Sequence, residues 1–212
     1  MTREQQRKIK ELNKSVNEIL AEEVKKYHFK KKSGNAWYNK GELFFSLSSN
    51  ITQIDGHCYC SSLEQVKPLY LDDLFWDIVG ASSNKKEPMS LRCVGAWTVQ
   101  GAVVFQEKRE IITWERDELQ TCIADYMDHF NQTVQSSTMD DYRQLLEQPG
   151  WHGDIRRLVE LLHEDKYREA KAYIKTMEHD DFQVGSIGFR KLAQVYIVKK
   201  KVTSFLPGFH AD

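Results

Sequence analysis

The chain has 212 residues, 41% of them hydrophobic and 29% charged, with 30 basic against 31 acidic side chains. Its aromatic content of 11% supplies enough burial to exclude disorder along the whole length, and the size suits one large domain or a domain with an appended helical piece. A formal net charge of −1 lacks the basic surplus of a nucleic-acid binder, no apolar run approaches the ~20 residues of a membrane span, and Cys58, Cys60, Cys93 and Cys122 are too few for a disulfide scaffold.

The charge is unevenly spread. Residues 1–60 carry 11 basic and 7 acidic side chains, whereas residues 61–137 carry 7 basic and 12 acidic. The opening Met1-Thr2-Arg3-Glu4-Gln5-Gln6 is polar and lacks the apolar stretch of a secretory signal. With four thiols read as reduced, the expected location is the cytoplasm.

The first predicted element is an amphipathic helix, with Ile9, Leu12, Val16, Ile19, Leu20, Val24 and Tyr27 at helical spacing. Its expected stop is Lys30-Lys31-Lys32-Ser33-Gly34, where basic residues would meet the negative helix end. Strand pattern follows from Ala36-Trp37-Tyr38, through a turn at Asn39-Lys40-Gly41, into a longer strand from Glu42 to Ile54. Leu43, Phe45, Leu47 and Ile51 share one face of that strand, and Glu42, Phe44, Ser46, Ser48 and Asn50 the other. Asp55-Gly56 is a hairpin turn signal, and the returning strand runs from His57 to Leu63.

Leu71–Val79 is predicted as a short helix, and Ser90–Phe105 as a further strand or hairpin carrying Arg92. A second long helix runs from Thr113 to Ser136, with Leu119, Ile123, Tyr126, Met127, Phe130 and Val134 as its stripe. Gln135-Ser136-Ser137-Thr138 marks the expected boundary, with Thr138 capping a helix that begins near Met139. The remainder reads as helices, punctuated at Pro149-Gly150 and Gly185–Gly188, with an apolar tail Phe205-Leu206-Pro207-Gly208-Phe209 expected to dock back. The fold expectation is therefore α+β. An antiparallel sheet of about four or five strands with helices on one face occupies residues 1–136. A C-terminal helical extension occupies residues 139–212.

Three places carry a family resemblance: the first helix, Phe29-Lys30-Lys31-Lys32-Ser33-Gly34 with Trp37-Tyr38, and Ser90-Leu91-Arg92-Cys93-Val94-Gly95. On these the stretch from Val16 to Trp97 is similar to a bacterial domain family of unknown function. The resemblance implies an α+β domain without an assigned activity, and it carries over no catalytic residue.

Motifs for chemistry are sparse. Cys58 and Cys60 share a strand face but have a one-residue spacer and no second pair, so small buried thiols are the better reading than a zinc site. Glu160-Leu161-Leu162-His163 has the spacing of a helical di-iron ligand pair but occurs once, where such sites need two copies. Asp125 and His129 share a helix face without a third ligand in view. There is no nucleophile elbow and no phosphate-binding glycine loop. Lys25, Lys26, Lys30, Lys31 and Lys32 near Trp37 and Tyr38 are the nearest approach to a single-strand nucleic-acid surface, against an overall acidic chain. No metal or cofactor is expected.

The sheet is more informative. His57, Tyr59 and Ser61 are placed to share a polar face with Ser46, Ser48 and Asn50, and Arg92 is expected to join them from the later strand. His57, Tyr59 and Arg92 are the candidate binding residues. The expected role is a cytoplasmic binding protein of bacterial type that engages another protein, an inhibitor or immunity-like partner being its specific form. The alternative is an enzyme whose site is assembled from His57, Tyr59, Asp72 and Arg92.

Overall fold

The computed structural model describes residues 2–93, 97–146, 152–177 and 182–205, with side chains to residue 200. The chain divides into two units, each discontinuous in sequence. Met1–Leu69, Pro88–Ala96 and Gln100–Glu147 form the first, and Tyr70–Glu87, Trp97–Val99 and Gln148–Asp212 the second.

The first unit is built on α1 (Arg3–Lys26). A capping box starts it: Gln5 N donates to Thr2 Oγ1 at 3.2 Å and Thr2 N to Gln5 Oε1 at 2.8 Å. The stripe Leu12, Val16, Ile19, Leu20 and Val24 is buried as its spacing predicts. The helix stops at Lys26, earlier than the expected Lys30–Gly34. His28 adopts a φ of 58°, a left-handed conformation through which a right-handed helix cannot continue. The three lysines instead form β1 (Lys30–Lys32), turned by Ser33 and Gly34, whose φ values are 47° and 79°. As an outer strand of the sheet, a run of lysines repels pairing with another chain.

The sheet then builds in sequence order from β2 (Asn35–Lys40), β3 (Leu43–Ile54), β4 (His57–Pro68) and β5 (Ala102–Glu110), all antiparallel, in the order β1-β2-β3-β4-β5. Asp55 and Gly56, both at positive φ (50° and 89°), close the β3–β4 hairpin. The alternation is as expected: Leu43, Phe45, Leu47 and Ile51 are buried on the core face, joined by Cys58, Cys60 and Val66 of β4.

Of the expected strand over Ser90–Phe105, the described residues form strand only from Ala102 onward. Met89–Arg92 is a turn of 3-10 helix set off by Pro88, and strand pairing begins at Ala102. Gly101 stands where the chain closes on β4: a Cβ there would lie 2.8 Å from the Val66 carbonyl oxygen, so only glycine lets the chain come this close.

Two helices cover the core face, α1 and α3 (Arg116–Ser136). Leu119, Cys122, Ile123, Tyr126, Met127, Phe130 and Val134 of α3 are buried in the same core as the α1 stripe. Burial of each such large apolar side chain contributes about 1.5–3 kcal/mol. Glu118 organises the entry to α3 by accepting from Ile112 N, Thr113 N and Trp114 N at 2.9, 2.9 and 3.2 Å. Lys40 Nζ closes its other end on the Val134 and Gln135 carbonyls, at 2.9 and 2.7 Å, where the helix dipole is negative. Thr138 then caps α4 (Met139–Leu145) with Asp141 in a second capping box, and Tyr142 and Leu146 enter this same core.

The second unit is mainly helical: α2 (Leu69–Val79) from its first turn onward, α5 (Gly153–His163), α6 (Tyr167–Thr176) and α7 (Phe189–Phe205), with a minimal hairpin of β6 (Gln183–Val184) and β7 (Ile187–Gly188) turned by Gly185. Phe75 stacks on Phe189 at 5.3 Å and meets Phe182 edge-on at 4.8 Å. Trp76 Nε1 donates to the Trp97 carbonyl. The α7 helix runs to Phe205, the first residue of the expected apolar tail. The Pro149-Gly150 break and the tail from Leu206 to Phe209 lie outside the described residues.

Glu118 generates a test of the α3 entry. Partial burial raises its pKa, but the hydrogen bonds from Ile112, Thr113 and Trp114 outweigh that and hold it below the usual Glu range. Its contribution is therefore present above the ordinary Glu pKa of about 4.3 and is lost as pH falls through the lowered value. Glu118→Gln should cost about 1 kcal/mol at pH 7 in urea unfolding, the size of a lost helix cap. That deficit should shrink at pH 3.

Candidate functional site

The β3–β4 register decides which side chains can act together. Asn50 pairs with Ser61, Thr52 with Tyr59 and Ile54 with His57, so all six stand on the face opposite α1 and α3. From β5, Lys108 sits opposite Ser61 and Glu110 opposite Tyr59, extending the same strip. His57, Asn50, Lys108 and Glu110 are exposed, while Thr52, Tyr59 and Ser61 are half-buried. Thr52 and Ser61 share a hydrogen bond of 3.2 Å, and His57 Nδ1 lies 2.6 Å from Glu110 Oε1.

The strip does not extend along the whole face. Toward the other end of the hairpin, Trp37 stacks on Phe44 at 5.6 Å, both buried, and the buried Lys67 ammonium lies over the Phe44 ring at 5.8 Å. Burial pushes the nearby Cys93 thiol up to about 12, partly opposed by the Lys67 charge.

Arg92 does not join His57 and Tyr59. It lies on the 3-10 turn, is buried, and donates from Nη1 to the Leu69 carbonyl at 2.7 Å, just past the end of β4. His57 begins that strand, so the two are separated by a strand length of about 35 Å. Asp72 belongs to the second unit, where it is fully buried on α2 and accepts from Val99 N at 3.1 Å. Of the four residues an assembled site would use, the structure brings together His57 and Tyr59. It gives Arg92 and Asp72 backbone-anchoring hydrogen bonds instead.

The remaining sequence candidates resolve into packing and pairing. Cys58 and Cys60 share the core face and are buried; burial pushes the Cys58 thiol up, and a hydrogen bond with Cys122 followed by burial does the same for Cys60. Asp125 pairs with Arg109 at 2.6 Å, and His129 turns away from it to Glu64. Glu160 accepts from the Tyr70 hydroxyl, and His163 stacks on the Tyr70 ring at 3.6 Å, so both ends of that motif engage one tyrosine. Among the described residues, no cluster of three or more His, Cys, Asp or Glu is arranged to hold a metal. In the basic cluster, Trp37 is buried and Tyr38 packs against Phe29 at 5.3 Å.

A polar network not anticipated from sequence lies on the core face. Glu64 is fully buried on β4 and accepts from Thr133 Oγ1 at 2.8 Å, with His129 Nδ1 at 2.9 Å; His129 stacks on Phe105 at 4.0 Å. The β4–β5 ladder slips at Glu64/Gln65, a bulge of the kind that re-aims side chains. Desolvation raises the Glu64 pKa, against the lowering effect of Thr133 and His129.

No protein-family model, no curated protein and no solved structure matches the chain.

The Glu64 network predicts a pH signature. A carboxyl with a raised folded pKa contributes stability that is fully present below the ordinary value of about 4.3 and is lost as pH rises through the folded value. Glu64→Gln keeps an acceptor for Thr133 and cannot ionise. Its stability–pH profile from about pH 4 to 8 should be flatter than that of the parent in thermal unfolding. An unchanged slope would remove Glu64 as the titrating group.

Proposed function

We propose that the chain is a cytoplasmic binding protein that takes a protein partner on the exposed strip of its sheet, in the manner of an inhibitor or immunity-like protein. The observation that carries this reading is that the Asp55-Gly56 end of the sheet is covered on one face and open on the other, while Trp37, Phe44 and Lys67 are buried farther along the open face. Both long helices of the first unit pack on one face, and the register gathers Asn50, Thr52, His57, Tyr59, Ser61 and Lys108 on the other.

Such a strip suits complementarity between surfaces. Its side chains stand on paired strands, so little backbone ordering is needed when a partner docks. Tyr59 is the natural anchor, because a tyrosine offers a large amphipathic surface with few rotatable bonds. The exposed ammoniums of Lys30, Lys32 and Lys108 lie on this same face, and Glu110 is engaged by His57. The partner surface is accordingly acidic at its rim.

The test is affinity capture with the tagged full chain, repeated with variants of the strip. Tyr59→Ala should weaken capture of the stoichiometric partner by about tenfold or more, as an anchor residue does. Lys108→Glu should weaken it further at low salt than at high salt, because rim charges act through screened attraction. A variant remote from the strip, Glu118→Gln, should leave capture unchanged. Equal capture by all three variants would overturn the reading.

A further inference from the structure

The second unit contains a cleft that the first unit's sheet has no part in. Its volume is about 250 Å³, enough for a small ligand or the end of a side chain. Helix α2 supplies Tyr70, Asp73 and Asp77, the α5–α6 corner supplies His163, Asp165 and Tyr167, and α7 supplies Tyr196 and Lys200. Lys85 closes one side from the 3-10 turn after α2.

The chemistry of this lining has a sign. Three carboxylates face two ammoniums, and three tyrosine rings stand among them. The electron-rich face of an aromatic ring attracts cations. Several of the polar groups already have work. Asp77 accepts from Ser82 Oγ at 2.8 Å and from Lys85 Nζ at 2.6 Å, so the Lys85 charge is spent inside the wall. Tyr167 donates to Asp165 Oδ1 at 2.6 Å, which orients that carboxylate. Tyr70 is held by Glu160 through its hydroxyl and by His163 against its ring, fixing one aromatic wall.

Lys200 lies one turn beyond Tyr196 on α7, so the two side chains are neighbours along that helix. Its ammonium lies over the Tyr196 ring, 5.5 Å from the centroid. Burial is the largest cause of the raised Tyr196 pKa; the Asp77 charge adds to it, the Lys85 charge opposes it, and Asp165 adds the least. The protein thus seats one of its own primary ammonium groups on an aromatic face beside carboxylates.

We propose that this cleft is a binding site for a small organic cation, a primary alkylammonium group, with Tyr196 and the carboxylates of Asp73 and Asp165 as its receptors and Lys200 as a resident competitor. The site is independent of the sheet strip and of the partner proposed for it.

An isosteric pair of probes tests the sign. The ¹⁵N-labelled full chain is titrated with pentylammonium chloride and, separately, with sodium pentanoate at matched ionic strength. Pentylammonium should give saturable shifts confined to amides of residues 70–77, 163–167 and 196–200, and pentanoate should not. Asp73→Asn combined with Asp165→Asn should weaken pentylammonium by about fivefold or more, two exposed ion pairs' worth. Asparagine also tolerates the positive φ of 56° at position 165, so the fold is retained. Lys200→Met should strengthen pentylammonium by about two- to fivefold, by vacating the Tyr196 face. Pentanoate binding at these amides as well as or better than pentylammonium would overturn the proposal. So would weakening by Lys200→Met, shifts scattered outside the cleft, or no response to either ion.

Discussion

The two-residue turn at Asp55 and Gly56 sets the parity of the whole sheet. With both residues at positive φ, the turn twists in the sense of the flanking strands and pairs Ile54 directly with His57. Every later pair along β3 and β4 follows from that one. Because side chains alternate, a slip of one residue with β3 held in place would turn Cys58, Cys60 and Val66 of β4 to the outside and bury Tyr59 and Ser61. The apolar loss on one face and the unsatisfied polar groups on the other both oppose the slip. The core against α1 and α3 and the exposed strip are thus two consequences of a single register.

The core face is not wholly apolar, and its exceptions are instructive. Ser49 and Ser62 form a cross-strand pair on that face, both buried, and neither hydroxyl has a hydrogen-bond partner among the described residues. Glu64, next on the same face of β4, is by contrast satisfied by Thr133 and His129 of α3. A buried carboxylate costs several kcal/mol unless its oxygens are met by donors. Threonine and histidine at one-turn spacing on α3 meet it together, so the network ties α3 to β4 at a defined height. The β4–β5 bulge falls at this point.

Much of the first unit was legible because its signals are local and periodic. The α1 and α3 stripes, the alternation on β3, the Asp55-Gly56 turn and the Thr138 cap each rest on neighbours in sequence. What was missed depends on distant groups. The lysine run at 30–32 carries charges suited to a helix end, and only the left-handed His28 and the pairing with β2 make it an edge strand. The apolar residues of Ser90–Phe105 look strand-like, but Met89–Arg92 is taken up by the 3-10 turn and β5 begins at Ala102. Trp97 and Val99 meanwhile belong to the second unit. Arg92 followed from that error, since a residue placed on a strand was assigned to a face it does not occupy. His57 and Tyr59 were placed together because their spacing and the turn suffice. The partners of Glu64, Glu160 and His163 lie 69, 90 and 93 residues away in sequence, at Thr133, Tyr70 and Tyr70, beyond the reach of any spacing rule.

The contrast between the strip and the cleft follows from the elements that build them. Strands hold side chains at fixed intervals on a nearly flat surface, so the strip gathers polar groups side by side without enclosing them. A flat surface of this kind suits matching to another extended surface, where strength comes from area, aromatic anchors and charge at the rim. Helix ends meeting at an angle leave concave space between them, and the corner at His163–Tyr167 opens such a space against α2 and α7. Groups converge there from several directions, so a small ion can be surrounded. Lys200, seated over Tyr196 one turn away on α7, sets a local positive charge that any ion entering that space meets.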